Sequence, residues 1–144
     1  MILRPARTTD AGKVGAILSE FIDTTDWMPR IHTRAEDAGF CGVMIDHGWI
    51  TVAEDDGVLG FLAQDGTEVN CLYVRNDTQG QGIGKALLDH AKGQSERLEL
   101  WTFQANQGAR RFYAREGFAK VRETDGTGND ENLPDVFLEW RRDT

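Results

Sequence analysis

Apolar residues at Val14, Ile17, Leu18 and Phe21 recur at intervals of three and four, which lines them along one face of a helix. Thr8, Thr9 and Asp10 precede them with hydroxyls and a carboxylate suited to capping that helix. The stretch from Asp23 to His32 has no clean period, and Thr33 can cap a second helix carrying Ala35, Phe40 and Val43, so residues 23–48 read as a loop followed by a helix. From Trp49 the pattern changes to strands: 49–53, 58–63 and 68–74, separated by Asp56-Gly57 and Asp65-Gly66. Asp-Gly pairs favour hairpins because both central turn residues then take positive φ, which predicts three antiparallel strands in chain order. After a glycine-rich segment, Ile83, Leu87 and Ala91 stack at four-residue spacing on a further helix. Leu98 to Phe103 reads as the fifth strand, counting the short apolar start at Ile2-Leu3 as the first. Asn106 caps a helix ending at Gly117, a residue whose missing Cβ suits a left-handed position. Residues 118–123 and 136–140 complete the sheet.

These elements occupy a chain of 144 residues, a length that fits one domain over 1–144 and is long enough to bury a core without disulfides or a structural metal. Sixteen Lys and Arg against twenty-four Asp and Glu leave a net charge of −8, which disfavours nucleic-acid backbones and anionic membranes as partners. Cys41 and Cys71 lie thirty residues apart without a CxxC pair, so no metal is expected and both read as reduced, buried thiols. A charge and a proline interrupt the start at Arg4-Pro5, and no stretch approaches ~18 apolar residues, so the expected location is cytoplasmic.

The glycine segment Gln79-Gly80-Gln81-Gly82-Ile83-Gly84-Lys85 is the first candidate for chemistry. A glycine turn feeding a helix N-terminus aims backbone amides and the positive dipole end at one spot, which suits a phosphate. A Walker A loop would need glycine at Gln79 and a hydroxyl at Ala86. A dinucleotide fingerprint begun at Gly80 would need glycine at Lys85 and a βαβ setting, whereas three hairpin strands precede this loop. A tight turn without a ligand is the remaining alternative.

Gln79-Gly80-Gln81-Gly82-Ile83-Gly84 resembles the (Gln/Arg)-x-x-Gly-x-(Gly/Ala) signature of the GCN5-related N-acetyltransferases (GNAT), preceded by Leu72-Tyr73-Val74 as in many members. Downstream, Asn106-x-x-Ala109-x-x-Phe112-Tyr113-x-x-x-Gly117-Phe118 is similar to a second signature, and the order of elements agrees over almost the whole chain. Trp101 to Asn106 and Thr124 to Asn129 look like a bacterial subgroup. The resemblance implies an α/β (α+β mixed) GNAT fold: a mixed, largely antiparallel seven-stranded sheet with helices on both faces, splayed between strands four and five. It implies acetyl-CoA as cosubstrate, with the backbone at Leu72, Tyr73 and Val74 holding the pantetheine arm. Gln79, Gly80, Gln81, Gly82, Ile83, Gly84 and Lys85 would then hold the pyrophosphate. Asn106 would lie near the thioester, a role compatible with its capping role.

An aliphatic amine attacks a thioester only as the free base, yet its pKa is near ~10, so one proton must be removed and another given to the departing thiolate. By resemblance Tyr113 is the general acid; core packing is its alternative role. Glu68, six residues before Val74, is spaced like the strand glutamate that some members use as base. Other members use ordered water, and a solvated strand end is the plainer reading of Glu68. His32 and His47 read as polar surface. In the family, acceptor choice lies with the first two helices and the loop joining the last two strands. Here these are Trp27 to His32 and Thr124 to Asp135, the latter carrying Asp125, Asp130, Glu131 and Asp135 with no basic residue. That loop is either a solvated turn or a rim attracting a cationic amine. The expected function is N-acetyl transfer directly to a primary amine of a small molecule or peptide. The alternative is a non-catalytic acyl-CoA-binding sensor of the same fold. A homodimer is left open, since similar proteins often pair.

Overall fold

A computed structural model describes residues 1–143. Its strands are β1 (Ile2–Pro5), β2 (Ile50–Glu54), β3 (Val58–Asp65), β4 (Glu68–Val74), β5 (Arg97–Phe103), β6 (Ala119–Thr124) and β7 (Asp135–Arg141). The helices are α1 (Ala11–Thr24), α2 (Arg34–Asp46), α3 (Ile83–Gly93) and α4 (Gln107–Arg115). One sheet contains every strand in the order β1-β2-β3-β4-β5-β7-β6, antiparallel except for the parallel β4–β5 step. The expected mixed α/β sheet with helices on both faces is therefore present.

Alternation along β2 and β3 divides the apolar residues between two cores, since successive strand side chains point to opposite faces. Val52, Phe61 and Ala63 join Val14, Ile17, Leu18, Met44 and Ile45 of α1 and α2. Ala53 and Leu62 join Leu87, Leu88 and Ala91 of α3, together with Leu98, Leu100, Tyr113 and Val136.

The turns and caps differ from the sequence pattern in two places. At the first turn Asp56 and Gly57 both have positive φ, as expected, but at the second only Gly66 does. Asp65 remains in β3, paired with Glu68, so Gly66 is the first central residue, where a type II′ turn needs its positive φ. Asp10 makes no side-chain cap to α1. It is buried and takes two bonds from Arg4, at 2.8 and 3.1 Å, because β1 brings that guanidinium beside the short 3-10 turn Thr8–Asp10. By contrast α2 has the expected Thr33 cap, closed as a capping box with Glu36. No helix among the described residues is long and apolar enough to cross a membrane.

Candidate active site

Parallel strands β4 and β5 share one ladder rung, Glu68 with Glu99, supported by the Glu99 N–H donating to the Thr67 carbonyl at 2.8 Å. Beyond it the strands separate and open a cleft with two connected parts. A cavity of about 790 Å³ lies between β4, the glycine loop and α4, and one of about 400 Å³ lies between β4, β5, the end of α1 and the loop before β7. Phe21, Leu72, Tyr73, Asn106, Ala109 and Tyr113 line both parts, so they form the junction.

The larger part has the chemistry of an anion site. A short 3-10 turn, Asn76–Thr78, follows β4 and is tied to α1 by the Asn76 N–H donating to Glu20 at 2.8 Å and its side-chain amide donating to Thr24 at 3.0 Å. The chain then turns through Gly80 and Gly82, with φ of +79° and +80°, values that L side chains adopt only with strain. Gly82 leads directly into α3 and supplies no side-chain cap. The first-turn amides of α3 thus lack side-chain partners, and Gly82, Ile83, Gly84 and Lys85 line the cavity. Gln79 and Gly80 line it too, as do Leu72, Tyr73 and Val74, while Gln81 faces neither part of the cleft. Open amides at a helix N-terminus fit a pyrophosphate, and the unpaired edge of β4 fits an extended arm with alternating donors and acceptors. The Lys85 ammonium bonds Asp89 and Glu116 at 3.2 Å each, and these bonds, that to Glu116 foremost, raise its pKa. Arg115, absent from the sequence-derived set, also lines this cavity.

At the junction, Asn106 caps α4 by accepting from the Ala109 N–H at 3.1 Å while also facing both parts. Tyr113 is buried between Phe112 and Phe118, with ring centroids 5.2 and 5.3 Å away. Its ring therefore packs as a core residue would, yet the residue lines both parts of the cleft and its hydroxyl bonds no group among the described residues. Burial, with a smaller contribution from Cys71, raises the phenol pKa further above its ordinary value, so the proton is held through the neutral range. Glu68 is exposed at the closed end of the cleft and lines neither part. Cys41 and Cys71 are buried free thiols, and burial pushes each up to about 12.

The smaller part is walled by aromatic rings. Phe21 contacts Tyr73 with centroids 4.9 Å apart, and Trp27 bridges Phe21 at 6.3 Å and Phe103 at 5.8 Å. Of the four acids in the segment Thr124 to Asp135, only Asp135, the first residue of β7, lines this cavity. Asp125 turns into its own loop, accepting from the backbone and hydroxyl of Thr127 at 3.0 and 2.9 Å. Phe21 was not read from the sequence as a site residue, and Asp135 stood there as one of four acids of a candidate rim attracting a cationic amine. Phe21 completes an ordinary helical stripe, and only the folded position of the α1 end turns it into a cavity wall.

Residues 35–120 match the family model described as an acetyltransferase (GNAT) domain. The chain is 31% identical over 118 residues to the peptidyl-lysine N-acetyltransferase YjaB of Escherichia coli, covering 81% of this chain and 80% of that one. It is 35% identical over 149 aligned positions to the 5-NmdU N-acetyltransferase of Pseudomonas phage PaMx11, covering 97% and 99%. The solved structure of yncA from Salmonella typhimurium with acetyl-CoA superposes with a TM-score of 0.78 at 19% identity, covering 100% of this chain and 95% of that one, which shows a shared fold. The chain belongs to the GNAT family. It is an acetyl-CoA-dependent acyltransferase, as its two motifs implied.

Proposed function

We propose that residues 1–144 form a single acetyltransferase domain that moves the acetyl group of acetyl-CoA directly to a primary amine of a small molecule or peptide. The observation carrying this reading is the meeting of the anion-suited and aromatic cavities at the Tyr113 hydroxyl. One cavity suits the donor, the other suits the acceptor, and an unbonded acid stands between them. The amine nitrogen, as free base, forms a bond to the acetyl carbon as the carbon–sulfur bond breaks. Tyr113 gives its proton to the sulfur, and the proton shed by nitrogen passes to cleft water, because Glu68 lies outside both cavities. The backbone of Leu72 to Val74 aligns the thioester, and the amides of residues 82–85 hold the phosphates.

Two relatives are named for different acceptors, a peptidyl lysine and 5-NmdU, so the acceptor is assigned only as far as an amine. The two free thiols accord with action in the cytoplasm. A panel of primary amines offered with acetyl-CoA, with release of free thiol followed, tests the reading. Amine-dependent release is expected. CoA binding without release for any amine would favour an acyl-CoA sensor instead.

A further inference from the structure

Three carboxylates are buried among the described residues: Asp10, Asp37 and Asp135. Arg4 stands 2.8 Å from Asp10, and Arg30 stands 3.0 Å from Asp37. Asp135 is different. Its partners are neutral, the Thr124 hydroxyl donating to Oδ1 and the Asn129 amide donating to Oδ2 at 3.2 Å. An ionised carboxylate has about four acceptor positions, and a buried charge is stable only when paired or fully hydrogen-bonded. Asp135 therefore has unfilled acceptor capacity and no counter-charge among the described residues, and it lines the cavity walled by Phe21, Tyr73, Trp101 and Phe103.

The loop is built to keep the carboxylate there. Asn129 is itself held by Leu133, donating to its carbonyl at 2.8 Å and accepting from its N–H at 3.2 Å. The Gly126 N–H donates to Thr124 at 3.2 Å, and a Cβ on Gly126, whose φ is +89°, would collide with the Leu133 backbone. Gln104 crosses from the end of β5 to the Thr124 and Asp135 carbonyls at 3.1 Å each. The smaller cavity thus has one fixed carboxylate among aromatic rings and the neutral polar side chains Asn70, Thr102 and Asn106, and electron-rich ring faces favour a cation as well.

We infer that Asp135 is the counter-charge that selects acceptors bearing a primary ammonium on an apolar stem, such as a lysine side chain or an alkyl diamine. The inference rests on the reading of the smaller cavity as the acceptor site. Holding the ammonium beside Asp135 concentrates the acceptor; the nitrogen loses its proton to water before attack.

The test uses CoA-saturated protein titrated, by NMR, with Nα-acetyl-lysine N-methylamide and with the norleucine counterpart, which keeps the stem and lacks the charge. Wild type is expected to bind the lysine compound at least about tenfold more tightly, with the preference falling as salt rises. Asp135→Asn, which retains shape and the bond from Thr124 but turns a donor toward the Asn129 amide, is expected to lower Tm slightly and to reduce the preference to below about twofold while CoA affinity stays unchanged. Absence of the preference in wild type overturns the inference whatever the variant does, and so does its persistence in Asp135→Asn. The same samples given acetyl-CoA separate the two readings. Acetyl transfer without charge preference removes Asp135 from selection and leaves the enzyme reading standing. Charge preference without transfer to any amine supports the anchor and contradicts the enzyme reading.

Discussion

Glu68 on β4 and Glu99 on β5 face each other across the one rung that joins two otherwise separated strands. On its other side β4 remains paired to β3 from Glu68 to Val74, so the sheet is anchored while one backbone edge stays open. An open, partly buried strand edge has unsatisfied amides and carbonyls, and an extended amide-containing ligand satisfies them.

CoA should therefore act as a structural component of the cleft. At about a hundredfold its Kd it should add about 2.7 kcal/mol of stability and raise Tm by several degrees. Gly82→Asp should remove that rise, since the residue has φ of +80° and stands where the amides of α3 open. The new side chain brings backbone strain and a negative charge to a place suited to an anion. Differential scanning calorimetry with and without CoA checks this; an unchanged rise in the variant would place the phosphates elsewhere.

Transfer should leave no acetyl group on the protein. Burial pushes Cys41 and Cys71 up to about 12, so at neutral pH each thiol keeps its proton and is a poor nucleophile. Intact-mass spectra after incubation with acetyl-CoA alone should show unmodified chain. Iodoacetamide should likewise react only when denaturant is present. A stable acetyl adduct on either cysteine would replace direct transfer with a two-step route.

Acid should weaken the fold through Asp10. Bonds from Arg4 are the main cause of its pKa falling from 3.8 to about 2, so the folded state favours the ionised form. The stabilisation is full above about pH 4 and is lost as pH falls through the folded value near 2. Its size is on the order of 2 kcal/mol. Asp10→Asn should lower Tm at pH 7 and flatten the loss of stability between pH 4 and 2. An identical acid profile in the variant would mean the Arg4 pairing has no net effect.

Much of this arrangement was legible in the chain because it depends on local pattern. The β4 span 68–74, the Thr33 cap and the Asn106 cap follow from alternation and hydroxyl or amide placement. The placement of Tyr113 on α4 was legible because a motif and helical spacing coincide. Other features depend on partners distant in sequence. Asp10 reads as a helix cap until β1 places Arg4 against it, and the position of Glu68 relative to the cleft follows only from its register with Glu99. Asp135 was one acid among four, and its inward direction follows only from bonds to Thr124 and Asn129. The β5-β7-β6 order likewise rests on pairings such as Leu100 with Leu138, which no local period reveals.

The most direct test is the single-turnover rate of acetyl transfer by wild type and Tyr113→Phe, measured with an amine that the panel identifies. Phenylalanine keeps the ring packed between Phe112 and Phe118 and removes only the hydroxyl. Loss of a general acid should slow transfer by about 10²–10⁴-fold, or about 3–5 kcal/mol in the barrier, with CoA affinity and Tm nearly unchanged. A Tyr113→Phe variant that keeps more than about a third of the wild-type rate would contradict the assignment of the acid and, with it, the chemistry placed at the junction of the two cavities.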